Sequence, residues 1–245
     1  MNLVILPIVD STNFYAHTLL EEGLVADNTV ILALEQTNGR GQRGKNWESA
    51  SNKGLYATFI FRPQHIVAQQ QFILNKAISS GVAAYLEERI QQKCLIKWPN
   101  DMLVDEKKLS GLLIENNLRG NQIVAVIAGI GINLNQFSFK DEFETSACSM
   151  RMLTGQTYNP EEEIRILYQH VNVFYQQFLK GNLELIEEYY DTHLFKKNHI
   201  AGFISDGKIF SAILEEVDNN GAAILNIDGE KIYATHPKFR FYMNR

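Results

Sequence analysis

Two rhythms alternate along the first half of the chain. "DSTNFYAHTLLEEG" (residues 10–23) opens on hydroxyl and amide side chains suited to cap a helix, continues with apolar residues at helical spacing, and stops at Gly23. "TVILALE" (29–35) is a β-branched apolar run and predicts a buried strand; "GLYATFIFRP" (54–63) alternates well enough for another. From about residue 67 to 91 there is no proline, and apolar side chains fall three and four apart, which predicts an amphipathic helix. "CLIKWP" predicts a short strand ended by Pro99. Two strand-like runs, "DMLVDEKKLSGLLIENN" and "QIVAVIAGIGINLN", then flank the polar residues 116–121 and predict a hairpin-like pair.

The second half changes texture twice. "NPEEEIRILYQHVNVFYQQFLKG" places Asn159 as a helix cap, Pro160 at the first helical position, three glutamates in the first turn and Gly181 past the end, all of which complement the helix dipole. A second helix follows at about 183–193. From Ile200 onward, short β-rich runs are separated by "SDG", "DNNG" and "DG", the spacing of a small antiparallel barrel or sandwich. The pattern therefore predicts an α+β fold: a mixed domain over 1–193 and a small all-β domain over 194–245. The latter is marginal alone at that size and is expected to lean on the larger part.

Composition narrows the field. Hydrophobic residues make up 45% and charged residues 21% of the 245, which excludes a disordered chain. A net charge of −5 argues against nucleic-acid binding by bulk charge. Cys94 and Cys148 form no CxxC and point to reduced thiols. The opening "MNLVILPIVDSTN" meets Pro7 and Asp10 too soon for a signal peptide, and no apolar run approaches the ~20 residues that cross a bilayer. A cytoplasmic protein with no membrane partner is expected. The six histidines show no metal-ligand spacing, so no protein-bound transition metal is expected.

Against that acidic background, "NGRGQRGKNWES" (38–49) gathers glycines and cations. Gly39, Gly41 and Gly44 let peptide N–H groups approach a ligand, Arg40 offers a planar fork for carboxylate or phosphate, Lys45 adds a point charge, and Trp47 can stack on a flat ring. A solvated turn is the plain alternative, and the following strand excludes a dinucleotide fingerprint. "IKWPND" makes a rigid turn presenting Asn100 and Asp101, an amide for a base or ribose and a carboxylate able to hold a Mg²⁺ that bridges phosphates; a tight Asx turn is the alternative. In "EKKLSGLLIE", Lys107 and Lys108 point to opposite faces of an extended segment, so only one serves a pocket, and Gly111 leaves room for a ligand. In "AGIGINLN", Gly129 and Gly131 suggest close approach to the strand backbone, with Asn133 as a polar tip; a bulge is the alternative.

Taken in this order, "DSTN", "QTNGRGQRGKNW", "KWPND", "KKLSGLLIE" and "AGIGINLN" resemble the biotin–protein ligases (biotin–[acetyl-CoA-carboxylase] ligases) over nearly the whole chain. "KWPND" with a lysine seven residues after its Asp is the most specific part. The resemblance implies a class II synthetase-like mixed sheet followed by an SH3-like β-barrel. It implies two steps: biotin and MgATP give biotinyl-5′-AMP, and the biotinyl group then passes to one lysine of a biotin carboxyl carrier domain. By resemblance, Lys108 and Arg40 are the catalytic cations. Ser11, Thr12, Asn13, Gln36, Arg40, Gly41, Gln42, Lys108, Gly111 and Gly129 match the biotin side. Arg43, Trp47, Lys97, Asn100, Asp101 and Asn133 match the adenylate side.

Gln42 and Lys45 stand where the family loop commonly has arginines, and "THPKFRFYMN" replaces a usual Gly-Glu pair near the end, which bears on contacts to the intermediate and to ATP. Since "DSTN" begins at residue 10, a monofunctional type without a DNA-binding domain is expected. Family members occur as monomers and as homodimers. Lipoate ligases and octanoyl transferases share the fold but lack this motif combination; a non-catalytic biotin or nucleotide sensor is the other alternative.

Overall fold

The computed structural model describes residues 1–44, 46–140 and 143–243. Its larger sheet has seven strands. β1 (Asn2–Leu6) pairs in parallel with β2 (Thr29–Ala33), and α1 (Thr12–Glu21) makes the crossover that a parallel pair requires. β3 (Gly54–Phe61), β4 (Leu95–Lys97), β5 (Asp101–Val104), β6 (Lys107–Arg119) and β7 (Gln122–Asn133) complete the order β1-β2-β3-β7-β6-β5-β4, antiparallel beyond the first pair.

Strand alternation splits the core in two. Ile31, Ile60 and Ile127 face α1 and pack with Ala16 and Val25. Their neighbours Val30, Leu32, Phe59, Phe61, Val126 and Ala128 face the other way, into the main core. That second face is covered by α2 (Gln71–Ile90), α4 (Pro160–Leu179) and α5 (Leu183–His193), with the short α3 (Met150–Thr154) between. The helix expected from amphipathic spacing at 67–91 is α2, preceded by a 3₁₀ turn at Ala68–Gln70. It is buried around most of its surface rather than on one stripe, because it is enclosed between the sheet and α4 and α5. Gly81 allows this: a Cβ there would stand 2.5 Å from the Val171 Cα of α4.

Two boundaries differ from the sequence reading. The run 101–117 is broken into β5 and β6 by Asp105 and Glu106, both at positive φ (48° and 61°), the geometry of a tight hairpin turn that no Asn-Gly or Asp-Gly pair announces. Residues 116–119 continue β6, and the turn is confined to Gly120 and Asn121. β1 and α3 had no distinct signal.

The second sheet holds β8 (Ile200–Ser205), β9 (Lys208–Val217), β10 (Ala223–Ile227), β11 (Glu230–Ala234) and β12 (Phe239–Phe241), all antiparallel, in the order β11-β10-β9-β8-β12. Asp206-Gly207 and Asp228-Gly229, all at positive φ, make the hairpin turns their sequence predicts. Phe203 packs on Phe241 (ring centroids 4.5 Å), which in turn meets Phe195, just past α5 (5.5 Å).

No helix among the described residues is long and apolar enough to cross a membrane. Cys94 and Cys148 are buried and free; burial raises both thiols above their ordinary range, to about 12 for Cys148.

Candidate functional site

The segments singled out by motif meet in one cleft of ≈ 1990 Å³ at the end of the large sheet, with one wall from the second sheet. Ser11, Thr12, Asn13, Gln36, Arg40, Gly41, Gln42, Trp47, Lys97, Asn100, Asp101, Lys108, Gly111, Gly129 and Asn133 all line it. Arg43 belongs to the 3₁₀ turn Gln42–Gly44, and Lys45 lies outside the described residues.

One end of the cleft is built by the start of α1 and the end of β2. Ser11 is the helix cap, with its N–H donated to Asp10 Oδ1 at 2.7 Å, and the N–H of Thr12 is taken by Gln36 Oε1 at 2.9 Å. A side chain from beyond β2 thus satisfies a helix-start donor that its own helix cannot. Gln36 Nε2 continues to Ser49 Oγ at 3.0 Å, which ties the glycine loop to the same point. The loop is a small hairpin: Arg40 and Asn46 form a bridge, and Trp47 N donates to Gly39 O at 2.8 Å. Gly39 has no room for more, since a Cβ would stand 2.5 Å from the Trp47 carbonyl oxygen. The Arg40 guanidinium lies over the exposed ring of Phe14, 5.3 Å from its centroid.

The centre belongs to Trp47 and Lys108. The indole rests on bare backbone, so that a Cβ at Gly131 would come within 2.5 Å of it and one at Gly111 within 3.0 Å. Lys108 Nζ sits 5.2 Å from the ring centroid. The indole Nε1 is buried with no hydrogen-bond partner. Both glycines therefore serve close approach, and the structure fills that space with Trp47.

The ammonium groups are organised by Asp101, whose Oδ1 meets Lys108 Nζ at 2.5 Å and Oδ2 meets Lys97 Nζ at 3.4 Å. Burial by itself would raise this carboxyl; Lys108 and Lys97 outweigh it and hold the group below its ordinary value. With one lysine on each oxygen, Asp101 is not a ready Mg²⁺ ligand here, which departs from the carboxylate-metal reading of its turn. Among the described residues, no group of three or more His, Cys, Asp or Glu side chains converges on a point fit for a metal. Lys107 also lines the cleft, contrary to the expectation that only one lysine of the pair could reach it. The two are the first residues of β6, both half-buried, where the pairing with β5 shifts register between Met102 and Leu103.

Three asparagines act as brackets. Asn13 Nδ2 donates to Leu113 O (3.1 Å) and Glu115 Oε2 (2.8 Å); Asn100 Nδ2 donates to Leu112 O; Asn133 Nδ2 donates to Cys148 O at 3.0 Å. Each joins a cleft segment to a neighbouring strand or loop. Sequence reading missed Thr58, Glu115 and Ser49, which complete the polar network under the cleft, and Arg240 and His236, which enter from the second sheet. Ser49, Glu115, His236 and Arg240 lie within or beside quoted motifs but were not named, and Thr58 carries no motif; the folded chain brings them to the site.

Comparisons with known proteins show what the chain is similar to. The model of the biotin/lipoate A/B protein ligase family matches residues 5–133. The bifunctional ligase/repressor BirA of Bacillus subtilis is 33% identical over 157 residues, 63% of this chain and 48% of that protein; this chain spans about half the length of that relative. A biotin–[acetyl-CoA-carboxylase] ligase of Paracoccus denitrificans is 34% identical over 166 residues, 64% of this chain and 66% of that one. The solved biotin protein ligase of Aquifex aeolicus in complex with biotin and ATP superposes with a TM-score of 0.83 at 25% identity, covering 99% of both chains.

Proposed function

This chain belongs to the biotin/lipoate A/B protein ligase family, and from that premise we propose that it joins biotin to AMP and then transfers the biotinyl group to a lysine of a biotin carboxyl carrier domain. The observation that carries the reading is the seat of Lys108: an ammonium anchored on Asp101, beside the Trp47 indole, in the cleft that Arg40 and Thr12 also line.

The chemistry follows from charge. A biotin carboxylate oxygen attacks the α-phosphorus of ATP, a phosphorus–oxygen bond to the β-phosphate breaks, and pyrophosphate leaves. Two anions must approach, so cations have to neutralise the growing charge; Lys108 and Arg40 supply it as fixed electrostatic groups without forming a covalent bond. The second step is attack by the neutral amine of the carrier lysine on the acyl carbon, with AMP leaving and one proton released. Because the mixed anhydride hydrolyses in water, the loop bearing Arg40 and Trp47 covers it until the carrier arrives.

Mg²⁺ would enter with ATP and offset the charge of its phosphates. Residues 1–193 hold the chemistry, while 194–245 complete one wall of the cleft. Gln42 lines the cleft as a neutral side chain, so retention of the adenylate rests more heavily on Arg40 and Lys108.

The test is incubation with biotin, MgATP and a carrier domain, read by mass spectrometry. Addition of one biotinyl group to one carrier lysine, dependent on ATP, is the expected result. Lipoyl addition in its place, or biotin binding with no AMP formed, would overturn it.

A further inference from the structure

The two cations given to the reaction are held by different means. Lys108 Nζ sits 2.5 Å from a carboxylate, that of Asp101. Arg40 has no such partner. Among the described residues no acceptor takes its guanidinium, which lies instead over the ring of Phe14, 5.3 Å from the centroid. Phe14 stands in the first turn of α1 and is 47% exposed. Unlike Ser11, Thr12 and Asn13, it does not line the cleft.

What carries each residue also differs. α1 is fixed to the sheet through Ala16, fully buried against Ile31, Ile60 and Ile127. Arg40 belongs to the small hairpin closed by its bridge to Asn46 and by the Trp47 N–H on Gly39 O, the segment that the functional reading requires to open and close. Phe14 is thus a fixed post beside an arginine on a moving loop. A long arginine without a partner spreads over many rotamers, and gathering it for each turnover costs rate.

A ring and a carboxylate act differently on a cation. A carboxylate of its own would cancel the charge that Arg40 brings to two approaching anions. At Asp101 that loss is avoided because two lysines share one carboxylate and a net positive charge survives. The face of a phenyl ring attracts a guanidinium through its quadrupole and adds no negative charge, so the cation is oriented and keeps its full charge.

We infer that Phe14 is a positioning residue for the reaction: its ring holds the Arg40 guanidinium at the cleft with the charge uncancelled. The inference rests on the ligase reading above and concerns how one of its two cations is preorganised.

The experiment compares the unaltered chain with Phe14→Leu, with Phe14→Trp and with a chain carrying a trifluorinated phenylalanine at position 14. The readouts are biotin-dependent pyrophosphate exchange and thermal denaturation. Leucine keeps apolar bulk and removes the ring; tryptophan offers a stronger ring face; fluorination keeps the shape of the ring and drains its face of negative charge. Phe14→Leu is expected to lower kcat about two- to fivefold, the range of a cation–π contact at a partly exposed site, with the melting temperature close to unchanged. Phe14→Trp should equal or exceed the unaltered chain, and the fluorinated chain should fall with the leucine variant. If Phe14→Leu does not fold, the fluorinated chain is read in its place. A fluorinated chain as active as the unaltered one, or equal losses in the leucine and tryptophan variants, would overturn the inference and leave the ligase reading intact. Failure of the unaltered chain to form an adenylate from biotin overturns both.

Discussion

The indole N–H of Trp98 donates to the carbonyl of Gly221 at 3.0 Å, across the junction between the two sheets. His236 meets the same ring edge-on at 5.8 Å, and Trp98 is 2% exposed. Two and three residues further along the chain come Asn100 and Asp101. The second sheet thus grips the turn that delivers the carboxylate on which Lys97 and Lys108 are organised.

Replacing Trp98 with Phe should therefore be felt on the nucleotide side of the cleft. The change keeps most of the apolar volume but strands the Gly221 carbonyl, at a cost of about 1–3 kcal/mol in stability. The expected kinetic signature is a KM for ATP raised several-fold with biotin affinity close to unchanged. Chemical denaturation and separate titrations of the two ligands measure both effects; equal weakening of both ligands would show that Trp98 supports the whole domain and not its turn.

Lys108→Ala should lower the rate of adenylate formation by about 10²–10³-fold, the usual loss when a preorganised charge-stabilising group is removed. The fold should persist, because Asp101 retains Lys97. Asp101 itself sets a pH dependence of stability whose sign follows from its depressed folded-state value. The lysines stabilise the ionised form, so the contribution is complete above the ordinary value of 3.8 and is lost as pH falls through the lower folded value. Asp101→Asn should thus be less stable than the unaltered chain at neutral pH, with the gap closing only in strongly acidic solution. Denaturation midpoints measured from pH 7 down to acid check this; a gap that closes near neutrality would assign the effect to another group.

Gly131→Ala tests the seat of Trp47. The added Cβ would stand 2.5 Å from the indole, so the ring has to move off the sheet and the loop follows it. Overpacking of this kind costs about 1–3 kcal/mol where the neighbour cannot yield, and less where a loop gives way. The expected outcome is a changed tryptophan emission, little change in melting temperature, and faster loss of the adenylate to water. Emission identical to the unaltered chain would place Trp47 elsewhere in solution.

Local chemistry was enough to read much of this molecule. Asn159 followed by Pro160, the Asp-Gly turns at 206 and 228, and the apolar runs of β2 and β3 each carry their own instruction, because caps, tight turns and buried strands depend on a few neighbouring residues. The order of the motifs likewise pointed to one family and to one cleft, and the residues named from it other than Arg43 line a single cavity. What sequence could not convey were contacts between distant segments. The Asp105-Glu106 turn has no distinctive residues, α2 is buried around most of its surface by partners as distant as Glu187, 111 residues on from Lys76, and Lys107 lines the cleft beside Lys108. The same holds for Asp101, whose two oxygens are taken by lysines, and for Thr58, a strand residue whose hydroxyl donates to Thr12 and Asn13 of α1. Propensity acts over a few residues; charge pairing and hydrogen-bond direction depend on which atoms finally meet, and only the packed structure settles that.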